Sequence, residues 1–189
     1  MSNRENSENY FQLLGLAESS SSSGLNFNID KNLLTNNFRE LQRQFHPDKF
    51  AHSSDIEKRI SVQNSALIND AFQTLKNPLK RAIYQLSLLG VELKDNETTM
   101  DAAFLMQQME LREKLDTIKQ LPEPADDLEK MQSMVAQELK TNTQQISQLF
   151  SSVEQQSLEE IKNTILKMQF LTKLQQQCDD LEEDLSNQL

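Results

Sequence analysis

The sequence has one cysteine, Cys178, three glycines, four prolines and no tryptophan. A single thiol excludes an internal disulfide and any Cys-x-x-Cys metal clip, and it suits a reducing compartment. With so few turn residues, a fold of many short strands is excluded and the composition favours helix. No apolar run approaches the roughly 18 residues of a membrane span. The opening "MSNRENSENY" has neither the apolar core of a secretory signal nor the acid-poor, Arg-rich character of a transit peptide. The expectation is an all-α, cytoplasmic protein without a zinc site, a cofactor or a membrane partner.

What is present is length and a divided charge. A chain of 189 residues can bury a real core, as one domain or two small ones. The net charge of −10 argues against nucleic acid as a partner, yet the charge is unevenly spread. Residues 31–90 hold 9 Lys and Arg against 5 Asp and Glu, a net of +4, while 91–189 hold 9 against 20, a net of −11. Two domains with partners of different electrostatic character would give such a split.

Along the chain, "ENYFQLLGL" reads as a short helix ending at Gly15, a residue suited to a left-handed C-cap. The Ser-rich run at 18–24 follows and reads as a flexible loop, because it has no apolar side chains to bury. A second helix starts at the N-cap Asp30, with Ile29 and Leu34 placed as a hydrophobic staple. Leu34, Phe38, Leu41 and Phe45 form its core face, while Arg39, Arg43 and His46 form a second stripe that stops at Pro47. A third helix opens at Ser54, with Glu57 completing a capping box, and is expected to carry Ile56, Ile60, Leu67, Ile68, Ala71, Phe72 and Leu75 inward. It ends near Pro78, and a fourth closes at Gly90.

The polar stretch "KDNETT" then marks a boundary between domains at 1–92 and 98–189. Three further helices are expected, from roughly Thr99 to Ile118, over about 125–152 and over about 157–186, with "LPEP" breaking the first pair. Their sustained three-and-four spacing describes an antiparallel three-helix bundle.

"QRQFHPDKFAH" at 42–52 contains both histidines of the sequence, His46 and His52. As catalysis, His46 would be a base oriented by Asp48, but no nucleophile motif, phosphate loop or oxyanion turn accompanies them. As a metal site, His46, Asp48 and His52 lack the helical ligand spacing, since Pro47 interrupts the helix. The plain reading makes His46 a helix C-terminal residue and Pro47-Asp48 an ordinary loop opening. That reading leaves the preceding basic stripe unexplained.

"YFQLLGL", "LTNNFRELQRQFHPDKF" and "INDAFQTLKNPLKRAIY" resemble a J domain, the DnaJ-type co-chaperone module, in its helices and its HPD loop. "AAFLMQQMELREKLD" and "KMQFLTKL" resemble the C-terminal domain of HscB-type co-chaperones of iron–sulphur cluster assembly. The resemblance spans nearly the whole chain. It departs from the family in the lengthened Ser-rich loop, and it lacks the N-terminal zinc-binding cysteines of some eukaryotic relatives, which points to the bacterial type. It implies a J domain with a helical hairpin and HPD loop plus a three-helix bundle, in an L-like arrangement. It further implies docking of Arg39, Arg43, His46, Pro47, Asp48 and Lys49 on an HscA-like, DnaK-type chaperone. Arg39 and Arg43 would supply charge for an acidic partner surface.

The bundle carries a signal of its own. On a wheel of 100° per residue, Phe104, Leu111, Leu115 and Ile118 cluster, while Leu105, Met106 and Met109 lie about 150° away. Both faces can be core, or the second can pack on the first domain; an exposed patch beside Glu110 and Glu113 would instead bind a protein, with Met supplying an adaptable contact. Phe170 falls off the Ile165, Met168, Leu171 seam. The resemblance implies that Leu105, Met106, Met109, Glu110, Glu113 and Phe170 hold an IscU-like scaffold protein. At the position one turn after Glu113, where relatives have an acid, this chain has Thr117. The implied function is a non-enzymatic adaptor that binds the scaffold, delivers it to the chaperone and stimulates the chaperone's ATPase. The alternative is a J-domain co-chaperone with another client or a self-associating bundle.

Overall fold

The structure is a computed structural model that describes residues 9–16, 26–93, 102–151 and 157–187. Among the described residues every regular element is helical. They fall into two compact units, within Met1–Leu88 and within Leu89–Leu189. The Ser-rich run at 18–24 lies outside the described residues, as do 94–101 of the expected boundary.

In the first unit, α1 (Tyr10–Leu13), α2 (Lys31–Gln44), α3 (Asp55–Lys76) and α4 (Pro78–Leu88) bury Phe11, Leu14, Leu34, Ala71, Phe72 and Leu75 together. Local signals set the ends of these helices. Asp30 accepts from the backbone N–H groups of Asn32 and Leu33 at 2.8 and 3.1 Å, satisfying two of the donors that every helix start leaves open. Ser54 and Glu57 cap each other reciprocally, and the Ser54 donors hold the Glu57 carboxyl below the usual carboxylate range. The Phe38 and Phe72 rings stack at 3.9 Å between α2 and α3. Tyr10 stacks on Tyr84 at 4.5 Å and donates its hydroxyl to Asp70, a bond that with burial pushes its phenol up to about 12.

Gly15 ends α1 with φ +63°, where Leu16 N–H donates to Phe11 O at 2.7 Å and Gly15 N–H to Gln12 O at 3.0 Å. A Cβ there would come within 3.0 Å of Asn37 Nδ2, the atom that donates to Leu14 O and ties α1 to α2. Gly15→Ala combines a left-handed backbone with that contact, and a loss of about 1–3 kcal/mol is expected. The chain has two tyrosines and no tryptophan, and both tyrosines lie in this unit. Tyrosine fluorescence during urea unfolding therefore reports this unit alone, and an unchanged midpoint would refute the prediction.

The α3 expectation needs correction. Ile68, Ala71, Phe72 and Leu75 are buried, but Ile56, Ile60 and Leu67 are 71, 48 and 45% exposed. At 100° per residue these three share a stripe roughly 100° from the centre of the buried face. Partner helices cover one arc of this 22-residue helix, and three-and-four spacing alone does not say which.

Two polar groups of α4 are buried. The Arg81 guanidinium lies over the Phe27 ring at 4.5 Å and donates to Leu75 O, and burial pushes its pKa down to about 10. Gln85 is 1% exposed, and neither of its amide atoms has a hydrogen-bond partner. An unpaired buried amide costs about 1–3 kcal/mol, so an apolar residue of similar size should be better tolerated. Gln85→Leu is expected to raise the urea midpoint of the tyrosine signal by an equivalent of about 1–2 kcal/mol. A lower midpoint would mean that the amide is paired in solution.

In the second unit, α5 (Ala102–Lys119), α6 (Ala125–Ser151) and α7 (Ser157–Ser186) surround one core. It contains Phe104, Leu115 and Ile118 of α5, Leu128, Met131 and Val135 of α6, and Phe170, Leu171, Leu174 and Cys178 of α7. The heptad-like spacing along α6 puts Leu149 and Val153 on its apolar stripe; Leu149 is only partly buried while its neighbour Phe150 is buried, and Val153 lies outside the described residues.

Candidate functional site

The HPD segment is built by the end of α2. Pro47 disfavours helical geometry in its predecessor, and His46 is extended at φ −62°, ψ 128°. Pro47 then begins a 3₁₀ turn, Pro47–Phe50, for which its fixed φ is suited. His46 caps that turn: its Nδ1 accepts from Asp48 N–H at 3.3 Å, and its carbonyl accepts from Lys49 N–H at 3.0 Å. The Asp48 carboxylate lies 3.6 Å from the same Nδ1, and the two side chains are 51 and 90% exposed.

Arg39, Arg43, Pro47 and Lys49 are exposed as well. Among the described residues none of the three cations has an ion-pair partner. Their charge is therefore available to an external partner. The described residues contain no group of three or more His, Cys, Asp or Glu able to hold a metal ion. His46 and Asp48 stand open to water rather than in a cavity, a setting suited to a recognition contact and poor for general acid–base chemistry. His52 is exposed and takes no part in this arrangement.

On α5 the structure separates the two apolar faces. Phe104, Leu115 and Ile118 are core, while Leu105, Met106 and Met109 are 40, 63 and 61% exposed, beside exposed Glu110 and Glu113. Thr117 is exposed too, and its hydroxyl donates to Glu113 O at 2.8 Å.

Phe170 is placed differently from its expected off-seam position. It is 7% exposed and meets Phe104 edge-on, with ring centres 6.0 Å apart, beneath the Arg112 guanidinium at 5.5 Å. Packed by both α5 and α6, α7 buries an arc wide enough to take in Phe170, about 100° from Leu171. Sequence reasoning also missed Ser61, a polar residue on the inner face of α3 that is 1% exposed. Its signal was its register, seven residues before Ile68 and so on the same helical face.

The described helices include none long and apolar enough to cross a membrane. The family model for the HSCB C-terminal oligomerisation domain matches residues 100–179. A co-chaperone protein HscB homolog of Shewanella pealeana is 41% identical over 178 residues, covering 94% of this chain and 98% of its own length. The homolog of Shewanella halifaxensis gives the same figures. Among solved structures, the chaperone HscB from Vibrio cholerae aligns with a TM-score of 0.78 at 37% identity, covering 94% of this chain and 99% of its own. Human co-chaperone protein HscB aligns at 0.78 and 31% identity, covering 91% and 81%. A similarity of this level, sustained over 94% of the chain, makes it a member of the HscB family of co-chaperones.

Proposed function

We propose that this co-chaperone acts in iron–sulphur cluster assembly, binding an IscU-like scaffold protein through its second unit and presenting it to an HscA-like chaperone through its first. The observation that carries this reading is that each unit exposes a different docking chemistry. The first offers unpaired cations around an outward HPD turn, and the second offers an apolar patch edged by carboxylates. Arg39, Arg43, His46, Pro47, Asp48 and Lys49 contact the chaperone. Leu105, Met106, Met109, Glu110 and Glu113 contact the scaffold, while Phe170 supports that face from within the core through Phe104.

The chain does no chemistry of its own in this scheme; ATP hydrolysis takes place in the chaperone. Joining the two sites in one molecule raises the effective concentration of the scaffold at the chaperone. The test is steady-state ATPase activity of the cognate chaperone with this protein, with scaffold, and with both. Joint stimulation well above the sum of the separate effects is expected, and a merely additive response would remove the adaptor role.

A second reading is favoured by the word oligomerisation in the description of the matching family domain. There the α5 patch meets a second copy of this chain. Light scattering distinguishes the two, because self-association through the patch would be concentration-dependent and abolished by Met106→Glu.

A further inference from the structure

The inner face of α3 has one polar exception. Ser61 is 1% exposed, in a helix whose other buried residues are Ile68, Ala71, Phe72 and Leu75. Its hydroxyl donates to the carbonyl oxygen of Phe45 at 3.0 Å. Phe45 is the C-cap of α2, and its N–H donates to Leu41 O at 2.9 Å. Its carbonyl is one of the acceptors that a helix end leaves without an intrahelical donor. It is also the last peptide group before His46, where the backbone leaves helical geometry.

This bond spans 16 residues and ties the end of α2 to α3, whereas the bonds within the HPD turn are all local. Local bonds shape the turn, but they cannot orient it on the molecule. The turn packs against α3, and the Ser61 bond adds a directional tie to α3 at the point where the chain leaves α2.

We infer that Ser61 is a positioning residue for the HPD turn, fixing the Phe45 carbonyl and thereby the direction in which His46, Pro47 and Asp48 leave α2. The inference rests on the docking role proposed above. Removing the hydroxyl leaves the contact surface chemically intact but spreads the turn over more orientations. The affinity for the chaperone then falls, while the stimulation reached at saturation does not.

The test compares Ser61→Ala with Ala71→Gly, a destabilising change elsewhere on the buried face of α3, in the full chain. One readout is hydrogen exchange at the Lys49 and Ala51 amides, which donate within the turn at 3.0 and 3.3 Å. The other is the concentration of this protein giving half-maximal stimulation of the DnaK-type chaperone. Ser61→Ala is expected to speed exchange at both amides and to raise the half-maximal concentration about threefold to tenfold at an unchanged plateau. Ala71→Gly should do neither, even though its urea midpoint also drops. Equal effects in both variants, or none in Ser61→Ala, overturn the inference. If the wild-type protein stimulates no chaperone while Ser61→Ala still speeds exchange at the turn, the docking role fails and the positioning of the turn stands.

Discussion

His46→Gln is expected to reduce stimulation of the chaperone ATPase to background while leaving scaffold affinity within about twofold of wild type. The imidazole does two things at once in the turn. Its Nδ1 accepts from Asp48 N–H at 3.3 Å, and its ring remains half exposed beside the Asp48 carboxylate. A glutamine amide can offer an acceptor, but on a longer and freer chain, so it neither fixes the turn nor presents the same planar edge. Little stability is at risk, because substitutions at exposed positions typically change folding by less than about 0.5 kcal/mol. The loss should therefore appear in a fully folded protein, which tyrosine fluorescence would verify. A folded variant that lost stimulation and scaffold affinity together would show that the two surfaces are not independent.

The α2 surface also predicts how this contact responds to salt. Attraction between exposed charges is screened within about 8–10 Å at physiological ionic strength, so association with an acidic surface weakens as salt rises. The +4 of residues 31–90 would be masked in any argument from the whole chain's −10. It emerges only when the charge is counted by segment.

How much of this was legible in the sequence depended on the range of the forces involved. Asp30, Ser54 with Glu57, Pro47 and Gly15 were all readable, since each acts within one turn of its own backbone. The division of α5 into two apolar faces was readable as geometry, but the exposure of the second face depended on which helices cover it. The same dependence explains Ile56, Ile60 and Leu67: their spacing is helical and apolar, yet they lie on an uncovered arc. Phe170 reversed the case, being off the expected seam and nevertheless buried, because two helices pack on α7. Gln85 and the partner of Ser61 were illegible for another reason, although the register of Ser61 gave its face. Sequence patterns sort residues into apolar and polar, and a buried polar residue is visible only when its partner, or the lack of one, is known.

Replacing Leu105, Met106 and Met109 together by Ala is expected to weaken scaffold binding by more than about 100-fold, while stimulation by the scaffold-free protein is retained. The three side chains expose the apolar atoms that a partner would bury, and truncating anchors of this kind costs on the order of 1–4 kcal/mol each where they are interface hot spots. These losses are not strictly additive, but three anchors at the lower end of that range, about 3 kcal/mol together, already exceed a hundredfold. The bundle should tolerate the change, because the core contacts of α5 come from Phe104, Leu115 and Ile118, on the opposite side, and alanine favours helix. Titration calorimetry with the scaffold and circular dichroism of the variant separate lost contact from lost fold. Phe170→Leu supplies the complementary measurement: as a support behind Phe104 it should change stability and binding together, whereas the triple variant should change binding alone. Wild-type affinity in a folded triple variant would remove α5 as the scaffold surface and would shift the search to another face of the bundle.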